Sequence, residues 1–358
     1  MLKHIRQAKT SGVLVSAIMV AATVCGSGSD RADVAAASPV AAASANSGQV
    51  RIERLDPRLD RLIPREAVVE KIVDGQTWVE GPVWDKSRKS LLFSDIPRNA
   101  VYEWREGERP TIFLKPSGYT GTDPFTGAEP GSNGLTMDSG GRLVLAQHGD
   151  RQISRLNDDG STTTLVDRYH GKRLNSPNDL AYKSNGDLYF TDPPFGLPKT
   201  FDDPTKELPY QGVYRLAKNG KLTLLTKDIE APNGIAFSPD EKTLYVTDVS
   251  SENPAWWAFP VKSNGTLGHG RVFARATPFV GNGPGVPDGL KVDKHGNLFS
   301  AGPGGVYIFA PDGTHLGTIA LGTKTSNTAW GEDGSTLFIT ADHAVYRVEL
   351  ATSGTIPG

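Results

Sequence analysis

The sequence predicts an all-β fold: one six-bladed β-propeller closed by an N-terminal strand that completes the last blade. Three observations predict it. Gly 40 and Pro 25 in 358 residues exceed the usual background of about 12% by roughly half, which reads as many tight turns between short strands. A strand of one type recurs six times. The one strand missing from the sixth repeat is present ahead of the first.

The recurring strands are Leu91–Asp95, Leu143–Gln147, Leu188–Asp192, Leu244–Asp248, Leu298–Gly302 and Leu337–Ala341. Their ends lie 52, 45, 56, 54 and 39 residues apart, a spacing that falls in the range of propeller blades. Each has an upstream partner, beginning at Gly81, Gly134, Asp179, Gly234, Gly289 and Thr328. Polar links such as Ser238-Pro239-Asp240-Glu241 join the two. A third strand follows in every unit, from Val101-Tyr102-Glu103-Trp104 to Val345-Tyr346-Arg347-Val348, and a fourth in five of them. The spare strand is Val68–Val73. Pairing it with the last unit closes the ring and protects its sheet edges.

The propeller is therefore expected over residues 66–350, with residues 50–65 as a strap before it and 351–358 as a tail. Residues 1–25 read as an export signal. Lys3, Arg6 and Lys9 precede an uncharged stretch from Gly12 to Val24, too short to span a bilayer and suited to a secretory leader. Residues 26–49, rich in Ser and Ala, read as a flexible linker. The sole cysteine, Cys25, excludes an internal disulfide. It is either discarded with the leader or carries a lipid anchor. Periplasmic or secreted export is expected, with no transmembrane segment after the leader.

Lys+Arg 38 against Asp+Glu 40 gives a net charge of -2. A nucleic-acid binder would carry a basic excess. No Gly-x-Ser-x-Gly elbow, Walker loop or His-Glu-x-x-His motif occurs, which speaks against a serine hydrolase, a nucleotide enzyme and a zincin.

The repeat itself points to a site. The residue just before each innermost strand is Glu80, Asn133, Asn178, Asn233, Asp288 and Asn327. One structural position thus carries only Glu, Asp or Asn. Innermost strands line the central channel of a propeller, so these side chains should converge at one mouth. Six oxygens, two of them ionised, suit a hard cation such as calcium, which takes 6–8 oxygen ligands. Turn chemistry is the competing reading, since Asn-Gly and Asp-Gly favour tight turns. It accounts poorly for Glu80, and not for Asn178-Asp179 or Asn327-Thr328.

Six stretches then carry a family resemblance: Glu80-Gly81-Pro82-Val83-Trp84, Asn175-Ser176-Pro177-Asn178-Asp179, Tyr189–Gly196, Pro232-Asn233-Gly234, Ser238-Pro239-Asp240 and Pro287-Asp288-Gly289. Together, in this order, the chain resembles the regucalcin/gluconolactonase (senescence marker protein-like) family, in its exported bacterial branch. The resemblance implies a metal-dependent lactonase. It implies metal binding by Glu80, Asn233 and Asp288, with Asn178 beside the metal as ligand or substrate contact. Animal members have Arg two residues before that Asn, where this chain has Ser176, so their sugar contacts do not transfer.

The expected reaction is hydrolysis of a sugar lactone, D-glucono-1,5-lactone first, with one divalent cation, calcium ahead of manganese, magnesium or zinc. Asp288 is the candidate general base. Asn133, His148, Asn178 and Asn327 are candidate substrate contacts, His148 from a rim loop. The Asp192–Gly196 stretch reads as a pocket wall or an ordinary loop, and Trp256-Trp257 as blade core. Two alternatives stand: another lactone, aryl ester or organophosphate hydrolase on the same site, or a non-catalytic calcium-stabilised binding module. The sequence leaves the oligomeric state open.

Overall fold

A computed structural model of the chain describes residues 50–358. The expected leader, linker and Cys25 anchor lie outside the described residues. Among the described residues no helix is long and apolar enough to cross a membrane.

Six antiparallel sheets, five of four strands and one of five, form the blades of a propeller. From the axis outwards, blade 1 is Val79–Asp85, Ser90–Asp95, Ala100–Trp104 and Thr111–Leu114. Blade 2 is Ser132–Met137, Leu143–Gln147, Gln152–Leu156 and Thr162–Val166. Blade 3 is Leu180–Tyr182, Leu188–Asp192, Gly212–Leu216 and Leu222–Thr226. Blade 4 is Pro232–Phe237, Thr243–Asp248, Ala255–Pro260 and Arg271–Arg275. Blade 5 is Leu290–Val292, Leu298–Gly302, Gly305–Phe309 and His315–Ala320. Blade 6 is Thr325–Gly331, Thr336–Ala341, Ala344–Glu349 and, from the other end of the chain, Glu70–Val73.

The innermost strands of consecutive blades touch in an unbroken circuit, including blade 6 with blade 1. Burial explains why. Each second strand is apolar and buried on both faces, as in Leu91-Leu92-Phe93 and Leu337-Phe338-Ile339, so each blade must be covered on both sides. The buried side chains accordingly form six clusters, one at each junction between blades. Trp256 is core as expected, fully buried against Phe309 at 4.8 Å between ring centroids.

Closure is by the N-terminal strand. Glu70 pairs with Arg347 and Val73 with Val345, antiparallel. At the 6–1 junction Trp84 stacks on Phe338 at 5.5 Å, and Val73 and Val79 fill the cluster around them. The preceding segment is more than a lead-in. Arg51–Arg54 adds a fifth strand to blade 5, pairing with Gly317–Ala320. Leu59 and Ile63 then plug the 5–6 junction.

Candidate active site at one mouth of the channel

All six residues singled out by the repeat sit in the described channel wall, and all are buried. They belong to six consecutive blades, so the closed circuit of innermost strands gathers them in one tier. The structure refines where they stand. Asn178 and Asp288 precede their innermost strands by two residues, whereas Glu80, Asn133, Asn233 and Asn327 lie inside theirs. In those four blades the register slips at the site: between Glu80 and Val83, Ser132 and Leu135, Pro232 and Ile235, and Thr325 and Asn327. Such bulges re-aim a side chain and recur beside functional sites.

Glycine after the site residue is required by crowding between blades, and at Gly81 also by a left-handed backbone with φ 52°. A Cβ on Gly81 would lie 2.0 Å from the Asn133 carbonyl oxygen, on Gly134 2.6 Å from that of Asn178, and on Gly234 2.4 Å from that of Asp288. In these three pairs the site backbone of one blade presses on the glycine of the blade before it. Hydrogen bonds follow the same path: Gly134 N–H donates to Asn178 O at 2.7 Å, and Ser94 and Thr191 hydroxyls donate to Asn133 O and Asn233 O at 2.9 and 2.7 Å.

The second strands supply a further brace. Asp95, Asp192 and Asp248 end them, and each carboxylate accepts a backbone N–H from the segment leading to a site residue: Thr77, Asn175 and Ala231, at 2.9, 2.9 and 3.2 Å. These donors stand two or three residues ahead of Glu80, Asn178 and Asn233.

The tier is electrostatically tense. Burial pushes the Glu80 carboxyl up to about 8; the Asp179 charge adds to this, while the Gly81 N–H at 2.9 Å and the Asn327 amide at 3.3 Å offset it in part. Burial, then the charge of Glu80, holds Asp288 well above the usual carboxylate range. Asp288 Oδ1, Asn133 Oδ1 and Asn178 Oδ1 are buried without a hydrogen-bond partner. Buried polar atoms are normally paired, so three orphaned oxygens in one tier, beside two carboxylates that repel each other, fit a bound cation. Among the described residues no set of three or more His, Cys, Asp or Glu is grouped to hold a metal. The donor set is instead amide oxygens with few carboxylates, which suits calcium better than zinc.

Three charged groups escaped the sequence reading. Asp179, buried beside Asn178, adds its charge to the tier. The signal was there, because Asp179 stands where four other blades have glycine. Lys324 eases the ionisation of Asp288 and lies 4.1 Å over the Trp78 ring. Glu129 raises both Glu80 and Asp288. It belongs to a loop outside the repeat, so no pattern marks it.

His148 is not at an exposed rim. Its ring is fully enclosed, with Glu129 Oε2 2.9 Å from Nδ1. Gly196 explains the enclosure: a Cβ there would lie 2.5 Å from that of His148. The Asp192–Gly196 stretch thus packs over the histidine. Ser176 is consumed within the same wall, donating to Pro193 O at 2.7 Å and accepting from Gly196 N at 2.9 Å.

A cavity of about 930 Å³ opens at the opposite end of the channel, between Tyr182, Phe237, Lys291 and residues 355–358. None of the six tier residues lines it. Its walls start with Pro82, Val83 and Leu135, two or three residues past the tier. The repelling carboxylates and orphaned oxygens, not this void, mark the site.

Residues 78–343 match the family described as the SMP-30/Gluconolactonase/LRE-like region. A gluconolactonase of Zymomonas mobilis is 42% identical over 313 residues, which cover 85% of this chain and 87% of that protein. The solved structure of a gluconolactonase from Xanthomonas campestris superposes with a TM-score of 0.73 at 35% identity, covering 84% of this chain and 94% of the other. A calcium-binding regucalcin from Agrobacterium tumefaciens shares the fold at 21% identity, with a TM-score of 0.62 over 79% and 93% of the two chains.

Proposed function

The chain belongs to the SMP-30/gluconolactonase/LRE-like family, and from that premise we propose that it hydrolyses a sugar lactone, D-glucono-1,5-lactone to gluconate, with one divalent cation, calcium, held in the acidic tier. The observation that carries this reading is the tier itself: Glu80 and Asp288 buried together with unpartnered oxygens of Asn133, Asn178 and Asp288, in a lactonase family. In this proposal Glu80, Asn178, Asn233 and Asp288 hold the ion, and Asn133 and Asn327 face the substrate.

A bound divalent cation supplies Lewis acidity towards a lactone carbonyl and charge to offset two carboxylates. The chain's own residues supply the rest. Asp288 Oδ1, free of protein partners, can accept the proton of an attacking water as general base. Asn327 Nδ2 donates to Glu80 Oε2, which fixes the carboxylate and leaves Oε1 to the ion. Lys324, on the Asp288 side, favours the negative charge that develops on the carbonyl oxygen.

The test follows proton release from D-glucono-1,5-lactone above its spontaneous rate, after chelation and after restoring Ca²⁺, Mn²⁺, Mg²⁺ or Zn²⁺. Metal-dependent turnover, abolished in Asp288→Asn with metal binding weakened but retained, supports the reading. Full activity in Asp288→Asn sinks the base assignment. Activity confined to aryl esters or organophosphates would redirect the substrate. No activity on any ester, with calcium still raising the melting temperature, would leave a calcium-stabilised binding module.

A further inference from the structure

Glu129 stands in the segment 115–131 that joins the outer strand of blade 1 to the innermost strand of blade 2. That segment is firmly tied. Asn99 Oδ1 accepts the N–H groups of Ser117, Gly118 and Tyr119 at 2.8–3.2 Å. The Thr120 hydroxyl donates to Asp150 at 2.7 Å, and a Cβ on Gly149 would lie 2.5 Å from Pro130 O. The segment therefore lies pressed onto the residues that follow His148. Beneath it the His148 ring is wholly buried, while the Glu129 side chain is 28% exposed.

This combination is specific. One oxygen of Glu129 lies 2.9 Å from a buried imidazole nitrogen, although neither ring nitrogen of His148 makes a hydrogen bond within the protein, and no protein group hydrogen-bonds the Glu129 carboxylate among the described residues. The charge of Glu129 is nonetheless felt at both Glu80 and Asp288. Its place in the chain agrees: Glu129 leads into the strand that carries Asn133, whereas Lys324, over Trp78, leads into the strand that carries Asn327. An anchored carboxylate with a free oxygen accepts hydrogen bonds well from vicinal hydroxyls and repels a carboxylate. A lactone offers both ends: ring hydroxyls on one side, and a carbonyl that becomes a carboxylate on the other.

We propose that Glu129, set against the buried His148, recognises the ring hydroxyls of the lactone and so orients its carbonyl towards Asp288 and Lys324. Glu129 is the specificity-determining contact, and His148 is a positioning residue that acts through it. This rests on the lactonase reading above and names the feature of the substrate that the site selects.

The experiment compares kcat/KM for D-glucono-1,5-lactone and for δ-valerolactone, which has the same ester ring without hydroxyls. A ratio of two substrates on one preparation does not depend on how much of a variant folds. In Glu129→Ala the ratio should fall by about 10- to 100-fold, the worth of hydrogen bonds to a charged group. His148→Leu should move it in the same direction by a smaller factor, and His148→Gln, which keeps a donor, should restore part of it. An unchanged ratio in Glu129→Ala, with either both rates intact or both lost equally, overturns the proposal. Binding of 1,5-anhydro-D-glucitol, which carries hydroxyls but no ester, separates this from failure of the lactonase reading. Calorimetric binding lost in Glu129→Ala supports hydroxyl recognition even in a protein that turns over neither lactone. Binding that is absent in the wild type, or equal in the variant, counts against it.

Discussion

A Cβ atom on Gly289 would lie 1.9 Å from Cγ of Asn327. The side-chain amide of blade 6 thus occupies the space where blade 5 would carry a side chain, directly after Asp288. Asn327 is held on both ends: its Oδ1 accepts from Thr328 N at 2.9 Å, and its Nδ2 donates to Glu80 Oε2 at 3.3 Å. Blades 5, 6 and 1 meet through this one amide. Gly289→Ala should therefore displace Asn327 and loosen Glu80, with an overpacking cost of about 1–3 kcal/mol. We expect a lower melting temperature and, for the calcium proposed above, an affinity reduced at least tenfold by titration. Wild-type affinity in that variant would show the contact to be slack.

Protonation of the tier should make metal binding pH-dependent. With Glu80 pushed up to about 8 by burial and Asp288 raised in the same direction, the metal-free folded protein holds protons that the unfolded chain releases above pH about 4–5. Its stability should fall as pH rises through that window towards about 8, because the native state binds more protons. A cation needs the ionised carboxylates, so its binding expels those protons and its affinity should climb with pH until both are ionised without it. Calorimetry at pH 7 in buffers of different ionisation enthalpy reads the proton count directly. Zero proton release would refute the shared burial of the two carboxylates.

Ring closure should depend on packing far more than on ion pairs. Phe338 is fully buried and stacked on Trp84, so Phe338→Ala should cost about 3–5 kcal/mol. Arg347 also bridges the seam, to Glu70 at 2.8 Å and to Glu106, but both acids are more than half exposed. Exposed pairs contribute about 0–1 kcal/mol, so Arg347→Ala should cost little beyond its packing on Trp104. Equal losses in urea unfolding would contradict this ranking.

The blade count, the closing strand and the six-residue tier were legible because each is a periodic statement: a propeller repeats its physics every blade. What was not legible is aperiodic. Glu129 and the loop enclosing His148 lie between repeats, where nothing in the pattern distinguishes a buried histidine from a surface one. The glycines were legible as residues but not as causes. Their partners are atoms of the next blade, 38 to 54 residues further along the chain, which only the packing of blade on blade brings into contact.

Asp192 offers a test of how the second strands brace the site. Its Oδ2 accepts from Asn175 N at 2.9 Å, and Asn175 Nδ2 returns a bond to Asp192 O at 2.9 Å. This loop of bonds sets the backbone three residues ahead of Asn178. The carboxyl is fully buried and its Oδ1 has no partner. Burial raises it to about 7, with the Asn175 N–H and the Arg151 charge offsetting only part. The folded state therefore keeps a proton that the unfolded chain loses near pH 4, and stability should decline between about pH 4 and 7, by at most about 1.4 kcal/mol per pH unit for one proton. Asp192→Asn keeps an acceptor for Asn175 N and cannot ionise. The variant should lose that share of the slope while retaining the fold. Its stability relative to wild type should rise steadily from pH 4 to 7 and stay constant above. A wild-type slope in Asp192→Asn, read from chemical unfolding at four or five pH values, would mean that the carboxyl is ionised throughout. The brace would then be a buried charge held by Arg151 rather than a neutral acid.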